Sequence, residues 1–168
     1  MKKRIFKLMT AAFALTAMVS CTDDLGLNQG SQLNKGDLTM ILNDKTSSGN
    51  IIGKVLLIEE SGVYVYNQRT ERIEIKHNNY DSLFIYEMLN APQIRDKIIK
   101  QSQGNTQIYV NWSTIAETDY LVPHINEQHC LGEFFYNLDN LITLNQRKCD
   151  ELKEVKKYML QNMFPRMS

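Results

Sequence analysis

Apolar and polar residues change rhythm several times along this chain, and each change marks an expected element. Residues 8–19 are an uncharged run behind a basic head of Lys2, Lys3, Arg4 and Lys7. Residues 22–35 are polar and aperiodic, with Gly26 and Gly30, as in a flexible tether. Two apolar runs, 38–42 and 51–58, flank the turn-rich "NDKTSSGN" and read as strands. At 63–66 valine alternates with tyrosine, so Val63 and Val65 share one face and Tyr64 and Tyr66 the other. "RIEIK" at 72–76 alternates strictly, with Ile73 and Ile75 inward and Arg72, Glu74 and Lys76 in water, which predicts an antiparallel meander with one wet face.

The period then lengthens. Asp81 is a candidate N-cap, "NAP" at 90–92 stops one helix and starts another, and Ile94, Ile98 and Ile99 share a helical face, predicting a helix near 92–102 with a weaker one before it. Ile108, Val110 and Trp112 alternate as in a strand, and "DYLVPHI" at 119–125 is its expected edge partner, because Pro123 cannot donate to a ladder. "EFFYNLDNLITL" fits strand or helix. From 150 to 164, Leu152, Val155, Met159, Leu160 and Met163 recur at helical spacing, so an amphipathic C-terminal helix closes the chain. The fold class is therefore α+β, mainly antiparallel sheet. Across 51–125 the element order resembles an OB-fold, with Ile52-Gly53-Lys54-Val55 similar to the bent first strand of such barrels; the alternative is a generic sheet with helices on one face.

The leader carries a second resemblance. Twelve helical residues rise about 18 Å, too short for a hydrocarbon core of roughly 30 Å, so 8–19 reads as part of a signal peptide spanning residues 1–20. Met18-Val19-Ser20-Cys21 resembles the lipobox of bacterial lipoproteins. That resemblance implies acylation of Cys21, palmitate and diacylglycerol anchoring, a lipidated tether over 21–36 and one globular domain over 37–168. It also implies the outer membrane, on the periplasmic or cell-surface face. Asp23 and Asp24 read either as a sorting signal or as the start of a solvated tether.

Charge and cysteines follow from that cut. The full chain balances 19 basic against 19 acidic residues, and losing the four basic residues of the leader leaves about −4. No later segment offers a Lys/Arg cluster free of interleaved acids, so nucleic acid is not an expected partner. Cys130 and Cys149 form an even pair that reads as a disulfide worth about 3 kcal/mol if the Cα atoms come within about 7 Å, the alternative being two buried free thiols.

The densest reactive cluster is "HINEQHCLGE", with His124, His129 and Glu133 as weak candidate metal ligands; the four-residue gap between the histidines suits zinc poorly. No nucleophile elbow or glycine-rich phosphate loop occurs, and no cofactor is implied. Tyr64, Tyr66 and Tyr109 are candidate ligand-binding aromatics, with cross-strand packing as the plainer reading. Two functions stay open. One is a membrane-anchored, non-catalytic module for a glycan, peptide or envelope protein; the other is a metal-dependent tethered hydrolase using 124–133.

Overall fold

The computed structural model describes residues 32–164 and the backbone of residues 4–7. Element order is β1 (Arg4–Lys7), β2 (Leu38–Ile41), β3 (Asn43–Asp44), β4 (Val55–Leu57), β5 (Thr70–Ile73), α1 (Ser82–Asn90), α2 (Pro92–Ile99), β6 (Ile108–Tyr109), α3 (Trp112–Ala116), β7 (Asp119–Val122) and α4 (Ile125–Met163). The chain divides into two units, Met1–Gly132 and Glu133–Ser168.

The first unit is built on the antiparallel sheet β4-β2-β5, flanked by two-stranded ladders β3-β6 and β1-β7. Alternation in "RIEIK" holds for four of its five residues: Ile73 and Ile75 are buried while Glu74 and Lys76 are exposed, but Arg72, expected in water, is half-buried with its Nε 2.9 Å from Asp37 Oδ2. These isoleucines join Leu38, Met40, Ile52, Val55, Ile85, Leu89, Ile98, Val110 and Ile115 in one core.

Asp81 is the N-cap of α1, its Oδ1 accepting from the Phe84 N–H at 2.8 Å. Ile85 and Leu89, four apart, are fully buried on the face that packs against β4. Asn90 clamps the other end, accepting from Val55 N–H at 3.1 Å and donating to Val55 O at 2.9 Å. Pro92 then opens α2, whose Ile98 lies against Gly53. Gly53 has φ +68°, and a Cβ there would stand 2.8 Å from Ile98 Cγ2, so both backbone and space require glycine.

Several expectations need correction. The leader's run, Cys21 and the tether through residue 31 lie outside the described residues, but Arg4–Lys7 is a strand paired with β7, Arg4 opposite Val122. That register gives β7 a different partner from the expected strand through Ile108, Val110 and Trp112. The domain also begins before Asp37: Leu33 is buried and its N–H donates to Tyr64 O at 2.9 Å. Residues 63–66 form no named strand, their ladder pairing being the isolated Gln32–Val65 bridge, and Trp112 starts a helix instead of extending β6. The α+β class with antiparallel sheets stands, while the ladders among the described residues do not join into an OB-type barrel.

The C-terminal helix is far longer than its clear periodicity at 150–164. α4 runs for 39 residues and absorbs the ambiguous "EFFYNLDNLITL". From Glu133 to Phe164 every described residue is exposed, including Leu138, Leu141, Ile142, Leu152 and Val155.

Candidate functional site

Three places within the units hold chemistry. The first is a cleft of about 510 Å³ lined by His77, Tyr80, Asp81, Ile125, Asn126, His129 and Cys130. His129 Nδ1 donates to Asp81 Oδ2 at 2.7 Å, the same carboxylate whose other oxygen caps α1. Beneath it Gln128 is fully buried, accepting from Asp81 N–H at 3.1 Å and donating to Pro123 O at 2.9 Å. These bonds fasten the first turns of α4 to the start of α1. They also correct the metal reading. His129 is engaged by Asp81, His124 Nδ1 accepts from the Asn126 N–H at 3.4 Å, and no group of three His, Cys, Asp or Glu among the described residues could hold a metal ion.

The disulfide is likewise corrected. Cys130 and Cys149 are free, exposed thiols within the continuous helix α4. Nineteen residues of helix rise about 28 Å, well past the roughly 7 Å a bridge allows. The tyrosines do not form a common stripe: Tyr109 lies on β6, paired with β3, whereas Tyr64 and Tyr66 flank the Gln32–Val65 bridge. The Tyr109 hydroxyl donates to Gln103 Oε1 at 3.1 Å.

The second place is one end of the β4-β2-β5 sheet, where three polar loops converge. Register places them. Met40 pairs with Val55 and Ile41 with Thr70, so the segments 43–54 and 67–69 both leave the sheet at the same end. The Leu42 N–H donates to Arg69 O at 2.8 Å and Leu42 O accepts from Val110 N–H at 2.9 Å, which brings in the loop before β6. Asn43 pairs with Tyr109 and Asp44 with Ile108. Arg95 ties α2 to the same edge, its Nη2 donating to Asn50 O at 2.9 Å and Ile52 O at 3.2 Å.

This assembled end has a charge that no single segment shows. Lys45, Lys54, Arg69, Arg95, Lys97 and Lys100 stand against two acids, Asp44 and Asp96. All of the cations except Arg95 are exposed. Asp44 is buried and turned inward: it accepts from Thr46 N–H and Thr46 Oγ1, both at 2.8 Å, and from Ile51 N–H at 3.4 Å. The Thr46 backbone and hydroxyl bonds hold its carboxyl below the usual carboxylate range, so it is an ionised turn-former within the loop. The opposite end of the sheet mixes signs, with Glu59 and Glu60 beside Lys35 and Lys76, and Asp37 paired with Arg72 at 2.9 Å. Exposed cations around hydroxyl and carboxamide side chains suit a polyanion with hydrogen-bonding edges. Sequence reading missed this end because its cations come from loops and a helix up to 55 residues apart, each unremarkable alone; the available signal was the run of small polar residues in "KTSSGN" and of Gln, Ser, Asn and Thr in "KQSQGNTQ".

The third place, in the second unit, is the exposed apolar stripe of α4, with a shallow groove between Ile142 and Val155.

Comparison with known proteins gives these features a context. The family model described as type I restriction modification DNA specificity domain matches residues 20–154. The type I restriction enzyme MjaVIII specificity subunit of Methanocaldococcus jannaschii is 26% identical over 129 residues, covering 76% of this chain and 30% of the relative, so the chain spans about a third of that protein's length. A crystal structure of a type I restriction-modification system S subunit from M. genitalium aligns with a TM-score of 0.49 and 19% identity, over 89% of this chain and 41% of that one. The family match runs through Cys21 and the supposed tether, and it overturns the lipoprotein resemblance together with the envelope-module and hydrolase readings, the outer-membrane location, the lipid partner and the exclusion of nucleic acid. No helix among the described residues is long and apolar enough to cross a membrane.

Proposed function

The chain belongs to the type I restriction modification DNA specificity domain family, and from that premise we propose that it recognises double-stranded DNA for a restriction-modification complex, without chemistry of its own. One observation carries this reading: the convergence of three polar loops and the basic helix α2 at one end of the β4-β2-β5 sheet. The module presents Lys45, Lys54, Arg69, Lys97 and Lys100 to phosphates, and it works in the compartment that holds the DNA. Neutralising phosphates releases counterions, so the logarithm of affinity falls with the logarithm of salt by about 0.9 per phosphate contacted.

Fluorescence anisotropy with a labelled duplex across a salt series tests this. The expected slope is about −2.7 to −4.5, from three to five lysine or arginine contacts. A flat salt dependence, or no binding at low salt, would sink the proposal.

The stripe of α4 supports a second part of the reading, assembly through helix pairing. Leu138, Leu152 and Met159 lie in one seven-residue series with Asn145, and Leu141 and Val155 in the series three residues later with Lys148 and Asn162, so the apolar members form a seam interrupted by polar residues. Arg147 and Lys148 precede Cys149, and Asp150 and Glu151 follow it, so an antiparallel second copy centred on Cys149 sets unlike charges opposite each other. The occupant we assign is that second copy. Sedimentation velocity at micromolar concentration is expected to show a dimer, and Leu152→Asp with Val155→Asp to return a monomer. A monomeric parent chain at tens of micromolar would remove this part.

A further inference from the structure

Resting on the DNA-recognition reading, we infer that the loop 101–107 is the element that reads bases, and that Gln101 and Asn105 recognise adenine edges in the major groove. The loop is a framed ribbon. Gln103 and Tyr109 exchange both backbone bonds, Gln103 N–H to Tyr109 O at 2.8 Å and Tyr109 N–H to Gln103 O at 3.0 Å. Gly104 turns it at φ +99°, where a Cβ would collide with Gln107 O, so no other residue fits without moving the loop. Gly49 packs on Ile108 from the neighbouring loop, fixing the two loops to each other. A two-stranded ribbon of this width is what the major groove of B-DNA admits.

Its four carboxamides divide into two roles. Gln103 accepts from the Tyr109 hydroxyl, and Gln107 Nε2 donates to Asn43 Oδ1 at 2.9 Å, so these two build the frame. Gln101 and Asn105 are exposed and make no side-chain hydrogen bond to another described residue. A carboxamide has a donor and an acceptor side by side, which matches adenine N7 and N6; guanine, with two acceptors, is met by arginine or lysine. Between 101 and 109 there is no cation, and the nearest, Lys100, stands at the base of the loop beside Lys97, where it suits a phosphate. Asn105 stands beyond the Gln103–Tyr109 pair, while Gln101 precedes it in the turn that closes α2, its N–H donating to Ile98 O at 3.0 Å, next to the phosphate-suited Lys100.

The full chain is used to select from a random-sequence duplex pool, in parallel with Gln101→Ala and Asn105→Ala. Both substitutions are at exposed positions, and thermal melts are expected to match the parent. The parent is expected to enrich a site with at least two adenine positions. Each variant is expected to keep its affinity for random DNA within about twofold and lose about tenfold to a hundredfold of preference at one adenine. Placing 7-deaza-adenine at that position should weaken the parent and leave the matching variant unchanged. Variants that select the parent's site unaltered, or a parent that binds DNA without base preference, overturn the inference while the DNA-recognition reading stands. A parent that binds no duplex at all overturns both.

Discussion

Replacing Lys45, Lys97 and Lys100 together by glutamate is expected to lower affinity for any duplex by about a thousandfold or more near 0.1 M salt. Each change removes a phosphate contact and sets a carboxylate against the same phosphate; losses per contact compound because counterion release is summed over the sites. All three lysines are exposed and at the loop end of the sheet, so the fold has no reason to change. The matched control is Lys35→Glu with Lys76→Glu, exposed residues at the sheet's other end, expected to alter affinity by about twofold, the scale of a distant screened charge. Anisotropy titrations of both variants decide it. Equal losses in the two would mean that binding follows net charge and not this surface.

A second large effect is expected from one glycine. Gly132 sits on α4 one turn beyond Gln128, facing the start of α1, and a Cβ there would meet Asp81 Oδ1 at 2.6 Å, Phe84 N at 2.7 Å and Leu83 Cβ at 2.9 Å. Two of those atoms are the partners of the α1 cap bond, and Phe84 N is backbone. In a free helix alanine is favoured over glycine by about 1 kcal/mol. Here that gain is outweighed, because opening the cap costs about 1 kcal/mol and overpacking a further 1–3 kcal/mol. Gly132→Val loses the propensity gain and adds bulk, so a net loss of about 2–4 kcal/mol is expected, a fall of roughly 5–15 °C in midpoint for a chain of this size. Gly132→Ala should fall less, but in the same direction. Thermal denaturation followed by circular dichroism measures both, and an unchanged or raised midpoint for the alanine variant would show that α4 is not seated on α1 as described.

The two predictions concern features of different legibility. Asp81 was readable as a cap, because its signal lies within three residues of the bond it makes, and the closing helix was readable where its apolar positions keep a clean period. What Gly132 is for was not readable. A glycine in helical sequence is a weakness until another element is known to pass within 3 Å of it. The leader misled for a related reason: three residues and the cysteine after them form a pattern with no tertiary constraint, whereas the family match extends over residues 20–154.

By itself the sequence determined the α+β class, the inward face of "RIEIK", the stop and restart at "NAP", β7 and the periodic end of α4, all of which depend on neighbours a few positions apart. Tertiary structure alone decided that β7 pairs with β1, that "EFFYNLDNLITL" is helical, that the two cysteines stay apart and that Asp81 serves two helices at once. It also decided the loop end. Lys45, Arg69 and Lys100 sum into one field only after the β2 register and the Leu42 bonds bring their segments together, because a field of this kind depends on distance in space, and separation along the chain does not fix that distance.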